Sequence, residues 1–403
     1  MNGARKNETQ VVLFSYLRAS PFIDVEWEPT MKITKVEAIE LRLPEQEVSG
    51  EKFSSAQDAV IVKIHTDEGI VGIGDSYSSP HVVKALIEAP LSGASASGLA
   101  RLLIGMNPLD IRLINDMLQA KNLRLGRRGI ICHAIAAIDI ALWDIAGKYY
   151  NQPIYQLLGG AFQKKFRAYA SILFGPDGKS TSEIGKRWIN EGFTAVKFGW
   201  TPMGQSEKLD LELVEGGRRG VGDSNDLIID AGCCWDTNTA IRRAQQFQDY
   251  DILFLEEPLN REDVEGYCKL TSASPIPIAA GEGQAGRFAH RHFIEESGID
   301  IIQIDTENTG ITDATRVADF AEDRGLKVVN HFYTNTIGLA ACLHWLASRK
   351  SAFILEYCVE ETPIRQDLTK QKLPVVDGYI AVPEGPGLGV DLDDEVIERY
   401  RVG

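Results

Sequence analysis

The chain has 403 residues, of which 44% are hydrophobic and 25% are charged, so its composition is that of an ordinary globular protein. This length allows two domains, or one barrel with an attached domain. The net charge of −15 argues against nucleic acid or an anionic membrane surface as a partner. It does not argue against an acidic substrate, because a bound cation can reverse the local sign. The apolar stretches are expected to be shorter than a membrane span. Six cysteines without a CxxC pair predict reduced, buried thiols in a cytoplasmic protein.

Residues 1–30 show neither helical nor strand periodicity, and we predict that they form an N-terminal extension. Met31 opens a clear strand pattern. Residues 31–76 alternate apolar and polar side chains, as a small antiparallel sheet does. Gly69, which follows an Asp-Glu pair, suits a tight hairpin turn.

Helical patterns follow at about 80–90, 108–120 and 128–150. Apolar side chains occur nearly all round the third pattern, which predicts a buried helix rather than an amphipathic one.

From residue 166 onward the pattern changes to alternating strands and helices. Eight short apolar runs predict strands: FRAYAS, TAVKFGW, LIID, LFLEE, PIAAGE, IIQID, VVNHF and FILEYC. The predicted helices between them include AIRRAQQFQDY, FAHRHFIEESG, DATRVADFAEDRG and TIGLAACLHWLASR. Such alternation favours a barrel of parallel strands. After residue 360 it stops, and a segment rich in proline and glycine runs to the end.

Six polar residues recur at the ends of apolar strand runs, at intervals of 26, 26, 23, 26 and 25 residues: Asp230, Glu256, Glu282, Asp305, His331 and Glu356. One strand, one helix and two loops need about that much chain. Because the carboxyl ends of parallel strands meet at one face of a barrel, we expect these side chains to converge there. That face is where barrel enzymes bind their ligands.

Three consecutive members of this set, Asp230, Glu256 and Glu282, are hard oxygen donors with no histidine or cysteine among them. Such donors suit Mg²⁺ or Mn²⁺ better than Zn²⁺. Taken singly, each carboxylate could instead cap a helix or pair with a lysine. Their occurrence in three consecutive units favours a metal site.

Two polar loops, 45–55 and 76–81, are predicted to cover the mouth of the barrel and to set specificity, as lids do. The alternative is that both are ordinary solvated connections.

Five motifs, LFLEEPL, IPIAAGE, AIDIALWDIAGK, QPIYQLLGG and PGLGVDLD, resemble those of the enolase superfamily, mandelate racemase subgroup. The resemblance covers residues 31–403. It implies a modified TIM barrel, (β/α)₇β, over 161–360 and an α+β capping domain over 31–160. A C-terminal segment, 361–403, would then return to the capping domain.

The resemblance also implies roles for individual residues. Asp230, Glu256 and Glu282 would bind Mg²⁺. The superfamily uses a lysine or histidine base with Mg²⁺ to stabilise an ene-diolate, and the resemblance places an Asp305–His331 dyad as this base. Lys197 matches a partner of the substrate carboxylate, and Glu356 matches a residue that donates a hydrogen bond to it.

The sequence departs from the family pattern at three positions. The turn after Asp305, DTENTGIT, is one residue shorter than the family pattern, and Thr309 replaces its first glycine. Racemases of the family carry Lys-x-Lys, whereas this chain has Lys197-Phe198-Gly199, which removes the second lysine. Gly232 stands where many relatives have Asn or His, which is expected to enlarge the pocket.

These observations favour a one-base reaction over a two-base racemisation. We predict a Mg²⁺-dependent dehydratase that removes the α-proton of a sugar acid, expels the β-hydroxyl and gives a 2-keto-3-deoxy acid. A racemase or epimerase that uses Lys197 as its second base is the first alternative, and a non-catalytic metal-bound scaffold is the second. A homo-oligomer with a small-molecule carboxylate substrate is expected, without nucleic acid or membrane as a partner.

Overall fold

The computed structural model describes residues 31–44, 57–76, 78–90 and 98–402. The predicted extension 1–30 and the predicted loop 45–55 lie outside the described residues, and so does Tyr77 of the second predicted loop.

The first three strands form the antiparallel sheet that the alternating pattern predicts. They are β1 (Ile33–Arg42), β2 (Asp58–Thr66) and β3 (Val71–Asp75), hydrogen-bonded in that order. Gly69 lies in the turn between β2 and β3 with a φ of 78°, a left-handed conformation that glycine adopts without steric cost.

Helices cover this sheet and connect it to the barrel: Pro80–Glu88, Leu99–Leu103, Ile111–Lys121, Ile130–Tyr150 and Ile154–Leu157. Three of the five were predicted to within a few residues. The two short helices carry too little periodicity to be predicted.

The helix Ile130–Tyr150 is buried, as its composition predicts, and it carries two buried aspartates at the junction with the barrel. Asp139 Oδ2 accepts a 2.8 Å hydrogen bond from the backbone N–H of Thr312 in the barrel. Asp144 Oδ1 accepts a 2.9 Å hydrogen bond from the N–H of Leu388 in the C-terminal segment. These polar contacts fix the helix between the two parts of the chain.

The expectation that every apolar stretch is shorter than a membrane span was wrong for this helix. Among the described residues, Ile130–Tyr150 is the one helix long and apolar enough to cross a membrane, with a mean hydropathy of 1.7. However, 78% of its most apolar stretch is buried inside the protein. Its composition therefore reflects a core position.

Eight parallel strands form the barrel and match the eight predicted runs: β4 (Lys165–Leu173), β5 (Ala195–Gly199), β6 (Asp226–Asp230), β7 (Ile252–Glu256), β8 (Ile278–Ala280), β9 (Ile301–Ile304), β10 (Lys327–Asn330) and β11 (Leu355–Cys358). Consecutive strands pair from β4 to β10, and β11 pairs with β4. The Asn330 side chain joins β10 to β11, because it accepts a 2.9 Å bond from Glu356 N and donates a 3.3 Å bond to Glu356 O.

Seven helices connect the barrel strands in order: Gly178–Asn190, Glu207–Val221, Thr237–Phe247, Val264–Ala273, Arg287–Ser297, Thr306–Glu322 and Thr336–Ala347. A short 3₁₀ turn, Gln248–Tyr250, precedes β7. Since β11 is followed by an irregular segment rather than an eighth full helix, the predicted (β/α)₇β fold is confirmed.

The C-terminal segment contains more regular structure than its proline and glycine content predicts. It includes the helix Pro363–Asp367, the strand β12 (Tyr379–Ala381) and the helix Asp394–Tyr400. β12 pairs antiparallel with β4 of the barrel. At the other end of the segment, the N–H of Val402 donates to the carbonyl of Glu40 in β1.

The six cysteines are all free, in agreement with the prediction of reduced thiols. The prediction that they are buried was wrong for four of them. Only Cys342 and Cys358 are fully buried, and Cys234 and Cys268 are exposed. The error arose because adjacent apolar residues in a sequence do not show which way a single side chain points.

Candidate active site

Apolar side chains from every barrel strand, or from the residue beside it, form one interior layer: Tyr169, Ala195, Ile228, Phe254, Ala279, Ile301, Val329 and Ile354. Side chains two positions apart on a strand point to the same face. The candidate residues Lys197, Asp230, Glu256, His331 and Glu356 each stand two positions after a member of this layer. They therefore form the next layer, one step nearer the mouth of the barrel.

Two candidates lie inside strands rather than at strand ends. Lys197 is the central residue of β5, and Glu356 is the second residue of β11. Glu282 lies beyond the end of β8, after Gly281, whose φ of 128° redirects the chain. Spacing along the sequence thus predicted the approximate position of each residue along its strand. The alternation of side chains along the strand determines the face on which each one lies.

Lys197 is buried within this layer, among three carboxylates. Its Nζ atom lies 2.7 Å from Glu256 Oε1, 2.6 Å from Glu356 Oε1 and 3.8 Å from Asp230 Oδ2. Burial opposes the positive charge, but the carboxylates of Glu256 and Glu356 prevail and raise the pKa of Lys197 well above its usual value. The lysine is therefore a fixed cation in this arrangement.

Glu356 is oriented by several donors. Ser171 Oγ donates a 2.8 Å hydrogen bond to Oε1, and the backbone N–H of Phe332 donates a 2.8 Å bond to Oε2. Together with Lys197, these contacts hold the carboxyl group in one orientation at the wall of the site.

The Asp305–His331 dyad is formed despite the shortened turn. His331 Nδ1 lies 2.7 Å from Asp305 Oδ2, and His331 Nε2 lies 3.3 Å from Glu282 Oε2. Burial opposes the charged imidazolium, but Glu282 and the hydrogen bond to Asp305 raise the pKa of His331 to about 10. Asp305 caps the following helix, and Gly310 breaks that helix with a φ of 78°.

Two functional neighbours were missed from the sequence, Glu257 and Arg261. Arg261 Nε donates a 2.7 Å hydrogen bond to Glu257 Oε2, and its Nη2 contacts Glu282 Oε1. Burial and the nearby Glu282 raise the pKa of Glu257 to about 8. A Cβ atom on Gly283 would lie 2.1 Å from Arg261 Cδ, so the glycine makes room for this side chain. The i,i+4 spacing of Glu257 and Arg261 was the signal available in the sequence.

Gly232 leaves less room than predicted. Its N–H donates a 2.8 Å hydrogen bond to Asp230 Oδ1, and a Cβ atom added to it would lie 3.3 Å from the ring of Trp200. Trp200 thus packs beside the position where relatives carry a larger side chain.

Within the described ranges, no three His, Cys, Asp or Glu side chains are grouped closely enough to hold a metal in their present positions. Two cationic side chains account for the separation of these carboxylates, because Lys197 contacts Glu256 and Arg261 contacts Glu282.

The donor set nevertheless fits a hard divalent ion. Glu256 Oε2 is buried without a hydrogen-bond partner. Burial and the charge of Glu256 raise the pKa of Asp230 well above its usual value. A cation bound among these oxygens would offset the clustered negative charge.

A capped parallel barrel with acid/base residues at its carboxyl-end mouth defines an enolase-type enzyme. Residues 33–159 match the mandelate racemase / muconate lactonizing enzyme N-terminal domain, and residues 181–396 match the enolase C-terminal domain-like family. The chain belongs to this family, in the mandelate racemase subgroup of the enolase superfamily. It is accordingly an enzyme rather than a non-catalytic scaffold.

The relatives include enzymes of several activities. A D-galactarolactone cycloisomerase from Agrobacterium fabrum is 30% identical over 92% of this chain and 99% of its own length. A D-galactonate dehydratase from Pectobacterium atrosepticum is 33% identical over 85% of this chain and 91% of its own length. An N-succinyl-L-Arg/Lys racemase from Bacillus cereus is 28% identical over 92% and 98% of the two chains.

Among solved structures, the 3,6-anhydro-D-galactonate cycloisomerase from Zobellia galactanivorans superposes with a TM-score of 0.83 and 28% identity. The match covers 92% of this chain and 100% of that one. The barrel and the capping domain are therefore shared along nearly the whole chain.

Proposed function

We propose that the chain is a Mg²⁺-dependent dehydratase of a sugar acid, an aldonate or an aldarate, that produces a 2-keto-3-deoxy acid. One observation carries this proposal: the site contains one oriented base and one lysine that is fixed as a cation. His331 is held by Asp305 at 2.7 Å, whereas Lys197 is held between Glu256 and Glu356. Gly199 occupies the position of the second lysine of family racemases.

The metal would be held by Asp230, Glu256 and Glu282. When bound, a divalent cation supplies positive charge that offsets the negative charge developing on the substrate carboxylate. Lys197 adds a second fixed positive charge. Glu356, which matches a family residue that faces this carboxylate, would hold Lys197 beside it through their 2.6 Å contact.

Proton transfer in this proposal uses His331 twice. When the negative charge of Glu282 is offset, the main cause that raises the pKa of His331 is removed. The neutral Nε2 then removes the α-proton, and the electron pair of the C–H bond forms an enediolate. The resulting imidazolium gives that proton to the β-hydroxyl group, the C–O bond breaks, and water leaves. The enol that remains takes up a proton at C3 and becomes the 2-keto acid. Asp305 keeps the imidazole oriented and stabilises its charged form in between.

Two other outcomes of the same first step are supported by named relatives. A racemase returns a proton to the α-carbon instead of expelling the β-oxygen, and this would require Lys197 to leave its carboxylate partners. A cycloisomerase expels a β-oxygen that is part of a ring, so that the ring opens without release of water. The dehydratase is favoured over the racemase by the single base, and a dehydratase and a cycloisomerase differ only in the leaving group.

The test is a panel of open-chain sugar acids and their lactones, incubated with the protein and Mg²⁺ and assayed for 2-keto acid and for water-loss products by mass spectrometry. We expect a 2-keto-3-deoxy acid from at least one open-chain acid, and none with the His331→Asn variant. Turnover of lactones alone would identify a cycloisomerase. Exchange of the α-proton without keto acid would identify a racemase.

A further inference from the structure

A buried polar cluster connects the capping domain to the barrel directly behind the dyad. We call it the junction cluster, and it consists of Asp75, Glu307, Thr334 and Asn335, all of them buried. Asp75 is the last residue of β3 in the capping sheet. Glu307 lies in the first turn of the helix after β9, and Thr334 and Asn335 lie in the loop after β10.

Short hydrogen bonds hold the two carboxyl groups of the cluster. Asn335 Nδ2 donates a 2.7 Å bond to Asp75 Oδ2, and Thr334 Oγ1 lies 2.5 Å from both carboxyl oxygens of Glu307. Gly338 makes room for Glu307, since a Cβ atom added there would lie 2.4 Å from the Glu307 carboxyl carbon. Both carboxyl groups are thus confined by close packing.

Among the described residues, no cationic side chain acts on either carboxyl group. The charged groups that face them are each other and Asp305, and the facing side chains of Thr334 and Asn335 are neutral. Asp75 Oδ1 is buried without a hydrogen-bond partner, although the backbone N–H of Gly338 faces the same carboxyl group. An unpaired buried oxygen of this kind is costly, whereas a proton between two carboxyl groups satisfies it.

We propose that Asp75 and Glu307 share one proton, and that this hydrogen bond across the domain junction holds Asp305 in position behind His331. The link to the dyad is direct, because the backbone N–H of Glu307 donates a 2.7 Å hydrogen bond to Asp305 Oδ1. The positioning role rests on the proposed function, whereas the shared proton does not.

The electrostatics agree with this arrangement. Burial, with the neighbouring carboxylates, raises the pKa of Glu307 well above its usual value, and burial raises the pKa of Asp75 to about 6. At neutral pH, Asp75 is then ionised and Glu307 supplies the proton. When the pH rises through the pKa of Glu307, two buried carboxylates repel each other next to Asp305. The junction loses its hydrogen bond, and the dyad loses its support.

Two amide variants test the proton without removing the side chains. In Glu307→Gln, the amide N–H replaces the shared proton and cannot be titrated, so kcat/KM at pH 7 should remain at the wild-type value. The pH at which kcat/KM begins to fall should be higher in this variant than in wild type. Asp75→Asn should likewise keep the wild-type kcat/KM at pH 7 and raise the pH at which kcat/KM falls, because its amide N–H would donate to Glu307. Glu307→Ala should lower kcat by about 10²-fold, with a smaller effect on KM, because it frees the peptide that orients Asp305.

A matched control is Asp139→Asn, which alters another buried carboxyl of the same domain junction that makes no contact with the dyad. It should lower the melting temperature and leave the pH profile of kcat/KM unchanged. The proposal is overturned if Glu307→Gln keeps the wild-type loss at high pH, or if it loses as much activity as Glu307→Ala.

A substrate-independent measurement separates this proposal from the proposed function. The infrared difference spectrum of wild type minus Glu307→Gln at pH 7 should contain the carbonyl band of a protonated carboxyl group. The melting temperature of wild type should also fall below that of Glu307→Gln as the pH rises from 7 to higher values. If the infrared band and the melting-temperature difference are both observed but no sugar acid is dehydrated, the shared proton is supported and the dehydratase function is rejected. Dehydration without the infrared band would reject the shared proton.

Discussion

His331 Nδ1 lies 2.7 Å from Asp305 Oδ2, although the turn after Asp305 is one residue shorter than the family pattern. The helix that Asp305 caps is broken at Gly310. The shorter turn therefore does not by itself remove the dyad.

The dyad predicts an order of effects on catalysis. His331→Asn should lower kcat by roughly 10²–10⁴-fold, because it removes the group that transfers the proton in both steps. Asp305→Asn should lower kcat less, because it disturbs the orientation of the imidazole and lowers the pKa of His331 without removing the base. Steady-state kinetics on both variants would test this order. An Asp305→Asn variant slower than His331→Asn would contradict it.

The clustered carboxylates predict that Mg²⁺ stabilises the folded protein. Binding at one hundred times the dissociation constant should add about 2.7 kcal/mol to the free energy of unfolding. Asp230→Asn, Glu256→Gln and Glu282→Gln should each reduce the rise in melting temperature that Mg²⁺ produces. Glu262→Gln, a change at an exposed carboxylate, serves as the control. The site is rejected if the three site variants respond to Mg²⁺ as the wild type and the control do.

The contact between Gly283 and Arg261 predicts a packing defect in Gly283→Ala. The added Cβ atom would displace Arg261 from Glu282, and overpacking of this kind costs about 1–3 kcal/mol. Chemical denaturation measures the loss. The double variant Gly283→Ala with Arg261→Met should lose less than the sum of the two single variants, because the residues are in contact. Additive losses would show that Arg261 is not the group displaced.

A buried neutral histidine predicts acid sensitivity. Burial lowers the pKa of His344 to about 4 from 6.5, and its Nε2 lies 3.0 Å from the carbonyl oxygen of Leu388. Because the unfolded chain takes up this proton first, the stabilisation is fully present above pH 6.5, decreases as the pH falls below 6.5 and is lost completely near pH 4. The loss is about 3 kcal/mol.

Denaturation curves at several pH values would measure this loss as the difference between wild type and His344→Gln. The destabilisation caused by the substitution at pH 8 should shrink as the pH falls below 6.5. A difference that stays constant down to pH 4 would contradict the assignment.

The strand-end residues could be predicted from the sequence because each unit has the same local design. An apolar run predicts a buried strand, and the polar residue at its end predicts a side chain at the carboxyl-end face of the barrel. Asp230 and Glu256 are examples. The fold class followed from the same repetition. For Lys197 and Glu356, which lie within their strands, the direction was predictable but the exact place along the strand was not.

The contacts of Arg261 and of the junction cluster could not be predicted in this way. Arg261 reaches Glu282 from the loop after β7, and its conformation depends on contact with a second loop, at Gly283 after β8. Asp75 and Glu307 belong to different domains, so their proximity depends on how the capping sheet docks on the barrel. β12 was missed for a similar reason, since three residues among prolines and glycines form a strand only because β4 is there to pair with.

The central claim is that His331 is the single base, and one exchange measurement tests it most directly. An α-deuterated substrate analogue that lacks the β-hydroxyl group would be incubated in water with wild type and with His331→Asn, and the loss of deuterium would be followed by NMR. The account predicts exchange with the wild type and none above background with the variant. Exchange by His331→Asn at the wild-type rate would contradict the account and would identify Lys197 as the base.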